Sequence, residues 1–311
     1  MSGIGNSQVS PNAARIDALL LTLAFAITLL QFFLFPFLIP VNGWTAAALI
    51  ILCAVTAPLH YGLMHETMHS TLFEGEAPNA RAGRLLGITF GYSWHVIRFG
   101  HLAHHAFNRN SYDRPDVLPE GKSRAVVVPV YFFNILGGQA LMYVLSPLPV
   151  LLPVSTTRWI LERLGDDPET VQLREAALRA FSNPERRRAI RLDLLAMTVL
   201  FAAAIWCWGA AWPVFAATLA ARWCVVSLLD NAPHYGTSVE AGLNARNSRM
   251  PAIFRWLVMN QNFHGIHHHQ PQTSWHLLPD KFAQSGKAPD GSWLGTVLRQ
   301  FRGPRRAEDF H

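Results

Sequence analysis

Charged residues are scarce in this chain: only 15% of its 311 residues are Asp, Glu, Lys or Arg, against about 25% in a typical soluble domain. The deficit comes from long apolar runs. A water-soluble globule is therefore excluded, and an all-α integral membrane protein is expected. Cysteine is scarce too. Cys53, Cys207 and Cys224 all lie in apolar stretches, with no CxxC pair. That excludes a disulfide framework and a cysteine-ligated metal site, and leaves three buried thiols. Internal repeats and low-complexity tracts are absent. The net charge is +6, but basic and aromatic residues do not interleave on a compact domain, so nucleic acid is not an expected partner.

The apolar runs mark the spans. Ala18 to Ile39 would make a helix of about 33 Å, enough to cross a hydrocarbon core of about 30 Å. Only Arg15 precedes it, and a second apolar run follows at once, so it does not read as a removable signal. Pro36 is expected to bend or end it. The turn "PVNG" leads to a second span, Trp44 to Met64. Two more are expected at 192–208 and 212–229, joined by "GAA", giving four spans in two hairpins.

The apolar stretch 125–154 carries Gly137 and Gly138 in its middle and Pro147, Pro149 and Pro153 at its end. Basic residues decide its reading. Lys and Arg crowd into 65–124, into 155–191 with its run Arg186–Arg188, and into the tail after Asp230. The two hairpin turns carry none. Basic loops stay cytoplasmic, so 125–154 must leave and return on the same side, as a re-entrant or interfacial segment. Both termini are then cytoplasmic, and 1–311 reads as one membrane-bound domain with a cytoplasmic helical cap. Residues 155–191 read as a solvated surface helix pair broken near Pro184. Arg222 lies inside the last span, where it is expected to snorkel to the interface or to pair with a carboxylate or substrate head group.

What the chain has in plenty is histidine, gathered just past the spans. "HETMH" holds His65 and His69. "HLAHH" holds His101, His104 and His105. "HGIHH" holds His264, His267 and His268. "DNAPHYG" supplies His234. On a helix, residues three and four apart share a stripe, so each cluster can turn its imidazoles toward one point. Histidine is the commonest metal ligand, and one metal needs only about three or four protein ligands. Nine imidazoles therefore suit two metals, each with a position left open. Imidazole alone does not choose among Zn, Cu, Fe and Ni. His60, His95, His269, His276 and His311 fall outside the patterns and read as structural. Candidates to orient the ligands from behind are Glu66, Asp113, Asp116, Asp230 and Asn231.

These boxes resemble the membrane-bound histidine-box family of fatty-acid desaturases, carotenoid hydroxylases and ketolases, and alkane hydroxylases. HxxxH is His65/His69, and the two HxxHH boxes are His101/His104/His105 and His264/His267/His268. "NRNSYDRPD" (108–116) resembles the stretch after the second box, and "HHHQPQTSWHLLP" (267–279) the run after the third. His234 in "PHYG" is similar to the family's extra ligand, in a context closest to the alkane-hydroxylase branch. The resemblance implies two Fe ions, dioxygen as co-substrate, a cytoplasmic metal site under about four spans, and electrons from outside. No fused haem domain or rubredoxin-type cysteines are present, so a separate ferredoxin-, rubredoxin- or cytochrome-type donor is expected.

An unactivated C–H bond does not yield to side-chain acid–base chemistry. The metals would supply the oxidant, and the protein the geometry and a dry site. The expected activity is O₂-dependent fatty-acyl desaturation. The alternative is hydroxylation or ketolation of a lipid, alkane or carotenoid, a choice set by placement on a scale of about 1 Å. "HETMH" is also a literal HExxH, which would make Glu66 the base of a zinc metalloprotease, but that leaves both HxxHH boxes without a role. A metal transporter would need ionisable residues within its spans.

Overall fold

The computed structural model describes residues 11–163, 168–239 and 244–309; His311 lies outside them. The described chain is mostly helical. Its only strands are two-residue β1 (Val117–Leu118) and β2 (Arg305–Arg306), paired in parallel. This pair departs from a purely helical fold. It forms because Arg305 N–H donates to Asp116 O at 2.8 Å, fastening the C-terminal segment to the loop after the second histidine box.

Helix α1 (Pro11–Leu29) runs into a π-turn at Leu30–Leu34 and ends at Leu38, two residues past Pro36. Helix α2 (Gly43–His69) starts on a capping box. The Asn42 side chain accepts from the Trp44 and Thr45 N–H groups, and Thr45 Oγ1 accepts from the Asn42 N–H. It runs past the expected limit at Met64, through the whole of "HETMH", to a left-handed cap at Ser70. Leu59, Leu63 and Met68 are fully buried against α3 (Glu76–Phe90) and α4 (Trp94–Phe107), which leaves the stripe with His65 and His69 free for the site.

The 125–154 stretch forms α5 (Arg124–Phe133) and α6 (Gln139–Leu145), broken between them at Leu136–Gly137, where Gly137 takes φ 117°. A side chain at that φ would strain the backbone, so glycine is needed there. Helices α7 (Val154–Leu161) and α8 (Pro168–Ser182) follow. Asn183 then caps α9 (Pro184–Trp208). A short turn at Gly209–Ala211 leads to α10 (Trp212–Asn231), and the Phe201 and Phe215 rings face each other at 6.2 Å across it.

Among the described residues, four helical stretches are long and apolar enough to cross a membrane: Asn12–Leu38, Gly43–His69, Arg124–Leu151 and Pro184–Asn231. The count matches the expectation but the division differs. The broken 124–151 stretch qualifies by length and composition. The expected spans 192–208 and 212–229 lie within one run that begins at Pro184.

Two basic residues also depart from expectation. Arg187, read as part of a solvated run, is buried and donates to the carbonyls of Val150, Leu152 and Phe181, closing the end of the broken segment. Arg222 is buried rather than snorkelling. It donates to Gln31 Oε1 at 2.8 Å and approaches His60 Nδ1 at 3.1 Å, with its guanidinium 4.5 Å from the Phe90 ring centroid. Neutral partners and a π-face thus hold this cation, in place of the carboxylate, head group or water anticipated for it. A buried carboxylate, Asp193, ties α9 to α3 and α4 by accepting from Arg84 Nε at 2.8 Å and Ser93 Oγ at 2.9 Å.

Candidate metal centre

Four segments converge: the end of α2, the second half of α4, the turn after α10, and the six-residue helix α11 (His264–His269). A shorter helical turn at Ala252–Arg255 precedes α11. All nine patterned histidines meet there, in two groups. His65, His69, His101, His105 and His267 form one, and His104, His234, His264 and His268 the other. Within each group the ligand atoms lie within 4.8 Å of one another.

Helix geometry explains the sorting. His101 and His105, four apart, point almost the same way, as do His264 and His268. His104 and His267 are each turned by about 100° from the next residue and join the opposite group. Each HxxHH box therefore serves both groups. The groups touch: the His105 and His268 rings stack at 4.2 Å.

The contacts fit metal ligation. In the first group Nε2 faces Nε2 at 2.7 Å for His69–His101 and 3.1 Å for His101–His105 and His105–His267. In the second it does so at 3.2 Å for His104–His234 and 3.1 Å for His234–His264 and His264–His268. A ring of inward nitrogens this close has too few protons for lone pairs facing one another, and a cation resolves the conflict. His65 Nε2 is buried without a hydrogen-bond partner. On the outer side His104 Nδ1–H donates to Asp113 Oδ2 at 2.8 Å, His264 Nδ1–H to Gln261 Oε1 at 3.0 Å, and His234 Nδ1–H to Asn244 O at 3.0 Å. These bonds put the proton on Nδ1 and turn the Nε2 lone pair inward.

Asn108 stands within 3.4 Å of His234 Nδ1 and 3.2 Å of His268 Nδ1, with its Oδ1 buried and unpartnered. Turning the amide over lets Oδ1 accept from the His268 Nδ1–H. Burial, reinforced by neighbouring histidines, pushes His101, His234, His264, His267 and His268 well below the usual imidazole range. Burial brings His105 down to about 2. Their rings thus stay neutral, the form that binds metal. Burial also pulls on His104, but the Asp113 charge and hydrogen bond outweigh it and raise that ring.

Of the candidate orienting residues, Asp113 alone hydrogen-bonds an imidazole. Glu66 Oε2 accepts from Thr71 Oγ1 at 2.8 Å and Trp275 N–H at 3.1 Å, while its Oε1 stands 3.6 Å from His65 Nδ1. It braces α2 against the segment after the third box and is not free to act as a protease base. Asp116 accepts from Arg109 Nη1 at 2.6 Å and Gly236 N–H at 2.8 Å, bracing the turn that carries His234. Asp230 accepts from Gln139 Nε2 at 2.7 Å and Tyr61 OH at 3.3 Å, and Asn231 donates to Gln139 Oε1 and Ser227 O. Both lie on the last turn of α10; the Asn231 carbonyl accepts from the His234 N–H at 3.1 Å, but neither side chain hydrogen-bonds the His234 ring.

Gln261, Asn108 and Gln139 were not anticipated. Gln261 and Asn108 each stand three residues from a boxed histidine, the one signal that could have found them. His60, His95, His269 and His276 lie outside both groups. His276 Nε2 meets the buried Asp17 at 3.0 Å, tying α1 to the segment after the third box.

Two cavities flank the histidines. One has polar walls including Asp113, Gln139 and Asp230. The other is largely apolar. His65 and His264, one from each group, line it.

The sequence pattern of the fatty acid desaturase family matches residues 42–294. That stretch holds all nine histidines and most of the chain, and the chain belongs to this family. Comparison with curated proteins finds no match. The family implies an oxidoreductase, a lipid substrate and an electron donor, and the histidine groups are consistent with iron.

Proposed function

We propose that this protein desaturates a fatty-acyl chain with dioxygen at two irons. One is held by His65, His69, His101, His105 and His267, the other by His104, His234, His264 and His268. The carrying observation is the pair of touching groups, five and four imidazoles, with Nε2 turned inward in each. The irons, when bound, supply the oxidant that takes hydrogen from an acyl methylene.

The chain's own residues do the rest. Asp113, Gln261 and the Asn244 carbonyl fix three rings from behind. The apolar cavity offers a dry bed for an acyl segment beside both groups. Asp230, held by Gln139 and Tyr61, puts a carboxyl group on the wall common to both cavities. The basic loops support a site on the cytoplasmic face under two hairpins, with both termini inside and 1–311 as one domain. A separate ferredoxin-, rubredoxin- or cytochrome-type protein supplies electrons.

The test is expression in a lipid-producing host with a compatible reductase, followed by mass spectrometry of total lipids. A loss of about two mass units marks desaturation, and a gain of about sixteen marks hydroxylation, because hydrogen abstraction is common to both. Elemental analysis is expected to give about two irons per chain, and a single zinc would overturn the reading.

A further inference from the structure

The end of the chain carries a surface that a water-facing cap has no use for. On the turn Ala252–Arg255, Ile253 and Phe254 are exposed. On α13 (Trp293–Arg299; α12 is Leu278–Gln284) and just after it, Leu294, Leu298 and Phe301 are exposed at helical spacing. The two elements are neighbours: Arg249 N–H donates to Gly291 O at 2.7 Å, and Trp293 N–H to Arg249 O at 3.0 Å. Arg255, Arg299 and Arg302 intersperse the apolar side chains. Large apolar groups mixed with Trp and Arg characterise surfaces that lie in a bilayer interface.

The same elements wall the apolar cavity. Val258 and Trp293 contribute from this cap, while Gly62, Val226 and Leu229 contribute from α2 and α10, in the stretches apolar enough to span. The cavity thus lies where cap and spans join, and His65 and His264 line it as well. Higher on α2, Ile51 and Val55 are exposed as for a lipid face.

We infer that the 253–256 and 294–301 face lies in the bilayer interface, and that a membrane lipid's acyl chain passes from the bilayer between Val258 and Trp293 to His65 and His264. The occupant of the face is phospholipid, and continuity with the spanning helices is the reason: a bilayer that meets α2 and α10 meets this face at the cavity's edge. The inference rests on the oxidase reading for its destination. It adds that the substrate is presented within the membrane and not from water.

The experiment uses the full chain in nanodiscs of palmitoyl-oleoyl phosphatidylcholine. The photo-crosslinking residue benzoylphenylalanine replaces Leu298 or Ile253, with Ile51 as the lipid-facing reference. Phospholipid adducts at both cap positions, as at Ile51, support the immersed face. No lipid adduct where Ile51 gives one, or an adduct to another protein chain, overturns it. This arm needs no turnover, so it is decided separately from the oxidase reading.

For the route, Val258→Trp in the iron-loaded protein is expected to cut turnover of bilayer lipid by about tenfold or more with metal content unchanged, since misplacing a substrate by about 1 Å already costs about a hundredfold. Leu229→Trp repeats the block from the opposite wall should Val258→Trp fold poorly. Wild-type turnover in both variants overturns the route.

Discussion

Single side chains carry the chemistry. His267 and His104 sit in different groups although each belongs to an HxxHH box. His267→Ala or His104→Ala is expected to lower turnover by more than about 100-fold, exceeding the 10–100-fold typical of residues that merely orient a ligand. Elemental analysis should show metal lost, while membrane fractionation shows the protein still inserted; normal turnover in either variant would remove that residue from the ligand set. Asp113→Asn keeps the shape but removes the charge that raises His104. Metal affinity is expected to fall about 10–100-fold, read by chelator competition.

The buried neutral rings also fix a pH dependence for the metal-free protein. Their folded-state proton affinities are depressed, so below about pH 6.5 the unfolded chain binds protons that the folded chain refuses. Stability is therefore full above that pH and falls steadily as the solution is acidified. Thermal melts of the metal-stripped protein at pH 7.5 and 5.5 check this, and equal melting temperatures would contradict the burial of these rings. At this scale the sequence was highly legible, because histidine spacing reports helical faces directly. Gln261 and Asn108 were not, because a lone amide carries no pattern until a fold brings it against a ring.

At the scale of elements, long apolar runs and boxes were readable and junctions were not. The extension of α2 through "HETMH" follows from an uninterrupted helical pattern up to Ser70. The burial of Arg187 could not be foreseen, since it depends on three carbonyls from two other segments. Asp193 shows the same dependence on distant partners. Asp193→Ala leaves Ser93 and the part-exposed Arg84 without their partner and is expected to cost about 1–3 kcal/mol, seen as a lower melting temperature in detergent. Gly83 marks a close approach on α3, where a Cβ would fall 2.0 Å from Trp94 Nε1 and 2.5 Å from Thr67 Oγ1. Gly83→Ala is expected to break the Trp94–Thr67 hydrogen bond and destabilise by about 1–3 kcal/mol, measured by the same melts. An unchanged melt would mean that α3 can shift freely.

At the scale of the molecule, hydropathy gave the number of apolar stretches but not how they divide. Periodicity could not distinguish one broken stretch, split at Gly137, from a crossing or a return. The meeting of the boxes was legible because all three lie in basic segments expected on one side of the membrane. Which imidazole joins which group was not, since that follows from the rotation of α4 and α11 about their axes.

That rotation has a consequence for assembly. With α4 and α11 each lending side chains to both nests, two ions seated there would share one scaffold. Loss of one would then be expected to weaken the hold on the other, and metal titration would show the two filling together.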